Sequence, residues 1–225
     1  MSEFLSRVYA TFLVDGRWKM FTNGLGITLL ISFFAILLGT AIGIIMSSLK
    51  LSKIAPLRWI ANVYIDIIRG TPTMVQILII NFIVFASMDV SKIVIAIIAF
   101  GINSGAYVAE IIRAGIQSVN KGQTEAGRSL GLSSMSTMVH IIMPQAIKNI
   151  MPALSNEFIV LIKETAVIGY IAGIDLTAAA LKVQMRTYDY FVPLIAVAII
   201  YYVVIKLFSF LLSAFERRLR KADAR

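Results

Sequence analysis

The chain has 225 residues, 59% of them hydrophobic and 15% charged, with no cysteine and a single histidine, His140. A soluble domain carries roughly 25% charged residues, so composition and a mean hydropathy of +0.86 point to an integral membrane protein. The missing thiols exclude a disulfide framework and a thiol nucleophile, and one histidine leaves no conventional zinc cluster. The net charge of +9 sits in short segments between apolar runs and in the C-terminal tail. That pattern orients a membrane protein and, without stacking aromatics, gives no ground for a nucleic-acid partner.

Residues 1–21 read as an external segment. Arg7, Asp15, Arg17 and Lys19 precede any long apolar run, so no cleavable leader is expected and the first run is retained. Crossing about 30 Å of hydrocarbon takes on the order of 20 mostly apolar residues. Five runs qualify, at 22–49, 57–86, 91–115, 148–172 and 190–214; the second and fourth also carry charges.

Lys50, Lys53 and Arg58 follow run one, Arg113, Lys121, Arg128 and Lys148 follow run three, and Arg217, Arg218, Arg220, Lys221 and Arg225 form the tail. The alternate segments hold half as many cations: Arg7, Arg17, Lys19, Lys92, Lys182 and Arg186. The excess marks the cytoplasmic side. The expectation is an all-α, polytopic membrane helical bundle of five transmembrane helices, N-terminus out and C-terminus in. Gly39 and Gly43, Gly101 and Gly105, and Gly169 and Gly173 are each four apart, a spacing that lets helix backbones pack closely.

Polar groups inside the runs are the candidate functional residues, because an ionisable side chain in a span faces a bundle interior, a partner or a pathway. In run two, Asp66, Arg69, Thr73 and Gln76 are spaced to share one helical face. Asp66 and Arg69 read as a gate or a structural ion pair, and Pro72 frees a backbone carbonyl at a hinge. In run three, Asn103, Tyr107 and Glu110 share a face. Run four carries Asn156 and Glu157 near mid-depth, then Lys163 and Glu164 in different directions. Glu157 has no cation within one helical turn. It either receives the amino group or cationic side chain of a substrate, or makes an interhelical hydrogen bond, or pairs with Arg69 or Lys163 of a neighbouring helix. Tyr188, Tyr190 and Phe191 are explained as interfacial anchors.

Residues 116–147 are too long for a simple linker and, with Leu130, Leu132, Met135, Met138, Val139, Ile141 and Ile142, too apolar for disorder. A short helix with a turn, packed against protein, is expected. Gly122, Gly127, Arg128 and Ser129 imitate a phosphate-binding loop. Arg128 stands where that loop needs lysine, no strand precedes it, and Glu125 would set a negative charge among phosphates.

The order Glu125-Ala126-Gly127, three residues, Gly131, nine residues, Ile141, one residue, Met143-Pro144 resembles the EAA motif of permease subunits of ATP-binding-cassette importers. Gly127 replaces an alanine and Met143 a leucine of that pattern. Arg69-Gly70-Thr71-Pro72 and Leu161-Ile162-Lys163-Glu164-Thr165 resemble the polar amino acid branch. The likeness covers most of residues 20–215.

The resemblance implies a type I importer permease fold, with a permease domain at 22–215 that includes a coupling segment at 116–147. A basic cytoplasmic tail at 216–225 meets membrane lipid. It implies that Glu125, Ala126, Gly127, Gly131 and Pro144 couple to a separate ATP-binding-cassette ATPase, and that Asn103, Tyr107, Glu157 and Glu164 belong to the substrate pathway. It implies no catalysis and no cofactor in this chain, ATP and Mg being bound by the ATPase. An extracytoplasmic amino-acid-binding protein would deliver substrate to a homodimer or heterodimer of permeases in a prokaryotic cytoplasmic membrane. Two other classes compete on the residues: an ion-coupled secondary amino acid transporter with Asp66, Glu110 or Glu157 carrying protons, and a membrane enzyme in which His140, Ser155 and Glu157 converge.

Overall fold

The computed structural model describes residues 3–221, the last three in backbone only. Of the expected basic tail, the side chains of Arg220 and Lys221 and all of Arg225 lie outside the described residues. Every regular element among the described residues is helical. In chain order these are α1 (Glu3–Phe12), α2 (Trp18–Leu51), α3 (Ala55–Arg69), α4 (Thr73–Ile79), α5 (Lys92–Gln117), α6 (Lys121–Ser129), α7 (Ser134–Thr137), α8 (Met143–Glu164), α9 (Leu176–Thr187) and α10 (Phe191–Lys221). Wider π turns extend α4 over Ile80–Val84 and join α7 to α8 over Met138–Ile142, and a 3-10 turn, Thr165–Ile171, follows α8.

The most extensive helix contact is α2 against α5, and small residues explain it. A Cβ on Gly39 would lie 2.9 Å from the Ser104 Cβ, and one on Gly105 would lie 2.7 Å from the Ile42 Cγ2. The first two glycine pairs thus interlock α2 and α5, as their spacing suggests. The third does not pack a span: Gly169 is in the 3-10 turn and Gly173 in the loop after it. Around the α2–α5 seam, Ile31, Ile77, Ile95, Phe100, Leu161 and Ile168 form the principal apolar core, drawn from four helices and the 3-10 turn.

Run two is not one straight helix. The chain turns by 105° between Ala55–Arg69 and Thr73–Val84, with Gly70 closing α3 and Pro72 heading α4. Proline lacks the donor that would continue the ladder, so the helix restarts in a new direction. This overturns the single helical face expected for Asp66, Arg69, Thr73 and Gln76.

Three helices among the described residues are long and apolar enough to cross a bilayer, Val14–Leu51, Lys92–Gln117 and Phe191–Arg218, and the broken α3/α4 pair makes a fourth if it counts as one span. Helix α8 corresponds to run four but starts earlier, at Met143, and gives way to the 3-10 turn after Glu164. Its polar residues, among them Lys148, Asn149, Asn156 and Glu157, keep it outside that group.

Helices α1 and α9 have no counterpart in the apolar runs. Helix α9 is capped by Asp175, whose carboxylate accepts from the backbone N–H groups of Thr177 and Ala178 at 2.9 Å each, satisfying two donors that a helix start leaves open. Helix α1 is held to the α9–α10 loop by Arg7, which reaches Asp189 at 2.6 Å.

Candidate functional site

The break in run two leaves backbone carbonyls without helical donors, and apolar surroundings make such groups costly. Gln76 supplies the donors. Its Nε2 lies 2.7 Å from the Ile68 carbonyl, 3.1 Å from the Thr71 carbonyl and 2.8 Å from the Thr71 hydroxyl. Its Oε1 accepts from Asn103 Nδ2 at 2.9 Å. Asn103, expected along a pathway, is therefore 2% exposed and fastens α5 to the bend.

The expected Asp66–Arg69 pair is not formed. Arg69 instead turns to α5, with Nη1 4.0 Å from Glu110 Oε2 and its guanidinium 5.3 Å over the Tyr107 ring. Both residues lie on α3 before the bend, but α5 offers Arg69 a carboxylate and a π surface together, which Asp66 alone does not. Glu110 also accepts from Lys50 Nζ at 2.6 Å and from Arg113 Nη2 at 2.8 Å. One carboxylate thus ties the ends of α2, α3 and α5 together. Beside it opens a cavity of about 770 Å³ bounded by Arg69, Tyr107, Arg113, Asn149 and Ala153.

Along α8 the polar side chains follow one another from this cavity. Asn149, Ala153 and Asn156 are exposed, while Glu157 is buried at 8% exposure. No ion pair joins Glu157 to Arg69 or Lys163 among the described residues, so that alternative for its role is set aside. The buried Ser104 hydroxyl on α5 faces the Glu157 carboxylate, an interhelical contact that keeps the hydrogen-bond alternative open. Glu164 is half-buried and Lys163 exposed, in keeping with their different directions. His140 is exposed and its Nδ1 lies 3.0 Å from the Ser136 carbonyl, whereas Ser155 and Glu157 are buried.

The 116–147 segment is a helix, a turn and a second helix. Asn120 starts α6 by accepting from the Gly122 N–H at 2.8 Å, and Ser133 starts α7 by accepting from Ser136 N–H at 3.1 Å. Between them Gly131 has φ +84°, the left-handed conformation that glycine adopts without a steric cost. Gly127 is buried, and a Cβ there would meet Thr137 Cγ2 at 2.8 Å and Ile141 Cδ1 at 2.9 Å. The two arms therefore pack on each other. Their outer surface is uncovered among the described residues: Glu125, Ala126 and Pro144 are exposed, as are Leu130 at 82% and Met135 at 72%.

Sequence reasoning had counted Lys50 and Arg113 only as topology charges. Arg113 stands three residues after Glu110, a neighbouring position on a helix, and that spacing carried the signal. Lys50 is sixty positions from Glu110 and carried none. Gln76 was singled out in run two, but its work at the bend depended on the break itself.

Membrane-crossing helices around a polar groove, with a built helical projection at one end of it, are the layout of a transport component. The chain belongs to the family of binding-protein-dependent transport system inner membrane components, whose pattern matches residues 39–221. It is 40% identical over 203 residues to the arginine transport system permease protein ArtQ of Bacillus subtilis, a match spanning 89% of this chain and 93% of that one. The L-cystine transport system permease protein TcyB of the same organism is 37% identical over 211 residues, 92% of this chain and 90% of its own. Among solved structures, the crystal structure of an amino acid ABC transporter with histidines superposes with a TM-score of 0.87 at 46% identity, covering 97% of this chain and 99% of that chain.

Proposed function

We propose that this inner membrane component is the permease subunit of an importer for polar amino acids, driven by a separate ATP-binding-cassette ATPase. Relatives named for arginine and cystine transport support the substrate class. In this reading α2, the broken α3/α4 pair, α5, α8 and α10 make five crossings, with the N-terminus outside the cell and the 116–147 segment in the cytoplasm. Two permeases, identical or related, face each other across the polar sides of α5 and α8. An external amino-acid-binding protein delivers the solute. ATP and Mg are held by the ATPase, and this chain hydrolyses nothing.

The observation that carries the reading is the exposed outer surface of α6 and α7. Glu125 and the apolar Leu130 and Met135 stand free on a frame locked by Gly127 and Gly131. Rigid, partly apolar and bearing the carboxylate of Glu125 between the exposed Lys121 and Arg128, that surface suits insertion into a cleft of a moving partner. Exchanging Glu125→Lys should leave the chain inserted while weakening its retention of the ATPase. Unchanged co-purification together with normal uptake would remove the coupling role.

Tyr107, Glu157 and Glu164 are the pathway residues in this reading, and Asn103 supports them from behind the bend. Glu157 is buried without an ion-pair partner among the described residues, and a bound ammonium or basic side chain would supply the missing charge. Glu157→Gln should reduce uptake or shift selectivity between basic and neutral amino acids; wild-type kinetics for both would exclude it from the site. In an ion-coupled carrier, collapse of the proton gradient would stop uptake; here loss of the ATPase should stop it.

A further inference from the structure

We propose that Arg69 is a carboxylate receptor in the cavity between α3, α5 and α8. Resting on the permease reading above, we assign that carboxylate to the amino acid being carried.

Three cations, Lys50, Arg69 and Arg113, surround the single carboxylate of Glu110, so the cluster holds an excess of positive charge. Two of the three are committed. Lys50 bonds to one oxygen of Glu110 at 2.6 Å. Arg113 bonds to the other through Nε and Nη2 at 3.1 and 2.8 Å and gives its remaining arm to Gln117. Arg69 differs. Its closest approach to Glu110 is 4.0 Å and its side chain is 44% exposed, with no hydrogen bond from its guanidinium among the described residues. Tyr107 supports the guanidinium from one side at 5.3 Å. A stacked guanidinium with open N–H groups is suited to grip a carboxylate through two parallel hydrogen bonds.

The backbone places this group. Arg69 ends α3 directly before the 105° bend; a straight continuation would have set it in the middle of a long span. The bend leaves it at the cavity wall. On the facing wall Ala153 lies four residues before Glu157, one helical turn or about 6 Å along α8. The cavity therefore offers a cation on one wall, and α8 carries a buried acid one turn beyond the other wall, a polarity that matches a zwitterion held by its carboxylate at Arg69 with its ammonium directed along α8 toward Glu157. A basic amino acid, with a second positive group several bonds from the carboxylate, matches it best. The phosphate of a lipid headgroup offers Arg69 the same anionic oxygens, so the test must separate the two sources.

The complex of the full chain with its ATPase is placed in nanodiscs of phosphatidylcholine, with or without phosphatidylglycerol. Binding of L-arginine and L-glutamine is compared with that of argininamide and glutaminamide, in which a neutral amide replaces the carboxylate. A charge-assisted pair is worth about 1.5–3 kcal/mol, or roughly ten- to a hundredfold in affinity. The wild-type complex is expected to prefer at least one amino acid over its amide by that factor. Arg69→Gln should abolish the preference, and Arg69→Lys, which keeps the charge but loses the fork, should leave part of it.

A wild-type complex without any carboxylate preference overturns the proposal even where the variants do not assemble. So does full preference in Arg69→Gln. If Arg69→Gln alters only the response to phosphatidylglycerol, the anion is a lipid headgroup and the amino acid assignment fails. Failure of the permease reading itself registers differently, as uptake by the wild-type chain that needs no ATPase.

Discussion

Replacing Gln76→Leu tests whether the bend in run two is held by one side chain. The substitution is close in volume at a site 8% exposed, so packing changes little and the hydrogen bonds decide the outcome. Thr71 is exposed, and water can take over at its carbonyl and hydroxyl. Two groups cannot be rescued so easily: the Ile68 carbonyl and the Asn103 amide, which meet Gln76 at 2.7 and 2.9 Å. An unsatisfied buried group costs about 1–3 kcal/mol in soluble proteins, whereas side-chain bonds within membrane bundles average about 0.6 kcal/mol with a maximum near 1.7. Two such losses therefore give about 1–3 kcal/mol of destabilisation. Asn103→Leu strands only the Gln76 Oε1 and should cost about 1 kcal/mol.

Because both variants break the same Asn103–Gln76 bond, the double variant should be less destabilised than the sum of the two by about 0.6–1.7 kcal/mol. The assay is unfolding in mixed micelles on titration with a denaturing detergent, followed by circular dichroism, for the four proteins of the cycle. Strict additivity would show that Asn103 and Gln76 do not act as a unit, and an unchanged Gln76→Leu midpoint would show that the bend is held by the proline break and packing alone.

Two further outcomes follow from the same geometry. Gly105→Leu must displace Ile42 and the Tyr64 hydroxyl, 2.7 and 2.8 Å from a Cβ at that site, and overpacking of this kind costs about 1–3 kcal/mol. Gly26→Ala, with nothing within 4 Å of the added atom, should be neutral or gain up to about 1 kcal/mol from helix propensity; thermal unfolding of the pair separates contact from composition, and equal loss in both would count against the close α2–α5 seam. In the α9–α10 loop, the hydrogen bond from Arg7 holds the Asp189 carboxyl below its ordinary range, against the opposing effect of burial. The stabilisation from that pair is complete above the unfolded value of about 3.9 and is lost as pH falls through the lower folded value. Asp189→Asn should be less stable than wild type at neutral pH and converge with it in acid; parallel melting-temperature profiles from pH 7 to 3 would contradict the linkage.

Runs at 22–49, 91–115 and 190–214 are legible in the sequence because continuous apolar residues can satisfy the backbone in lipid only as helices. Each has its counterpart in α2, α5 and α10. Run two shows how such reading reaches its limit. Gly70, Thr71 and Pro72 mark a hinge, but helical spacing assumes a straight axis, so it wrongly aligned Thr73 and Gln76 with Asp66 and Arg69 across the break. Helix α9 was missed because its apolar side, Leu176, Ala179, Ala180 and Val183, is buried while polar residues interrupt the run. Its start was nonetheless written in Asp175, which caps Thr177 and Ala178. For the 116–147 segment, Gly131 is the residue type a left-handed turn requires, whereas the close contact at Gly127 shows only in the fold, where Thr137 and Ile141 meet it. Glu110 could not be read in the same way: its partner Lys50 is far away in sequence and meets it only after α2 and α5 have packed.

That long-range pair bears on how a push on α6 would travel. The 116–147 segment leaves α5 at Gln117 and enters α8 at Met143, and the two helices are fastened beside it. Asn149 donates to the Ser118 hydroxyl at 2.8 Å, and Ile150 fills the space that Gly115 leaves open. A load on Glu125 or Leu130 is thus delivered to α5 and α8 together, with little freedom for the segment to yield alone. From α5 it passes through Glu110 to Lys50 on α2, where the bond is short, and to Arg69 on α3, where the contact is loose at 4.0 Å. In a packed bundle, motion takes the route with the fewest committed contacts. Helices α2 and α5, interlocked at their glycines, should move as one body, and the α3 end should be the side that slips. The loosest ion pair then lies at the cavity wall, so relative movement of α3 and α5 changes the separation of Arg69 and Glu110 and, if Arg69 binds a carboxylate as proposed above, would change the strength of that binding.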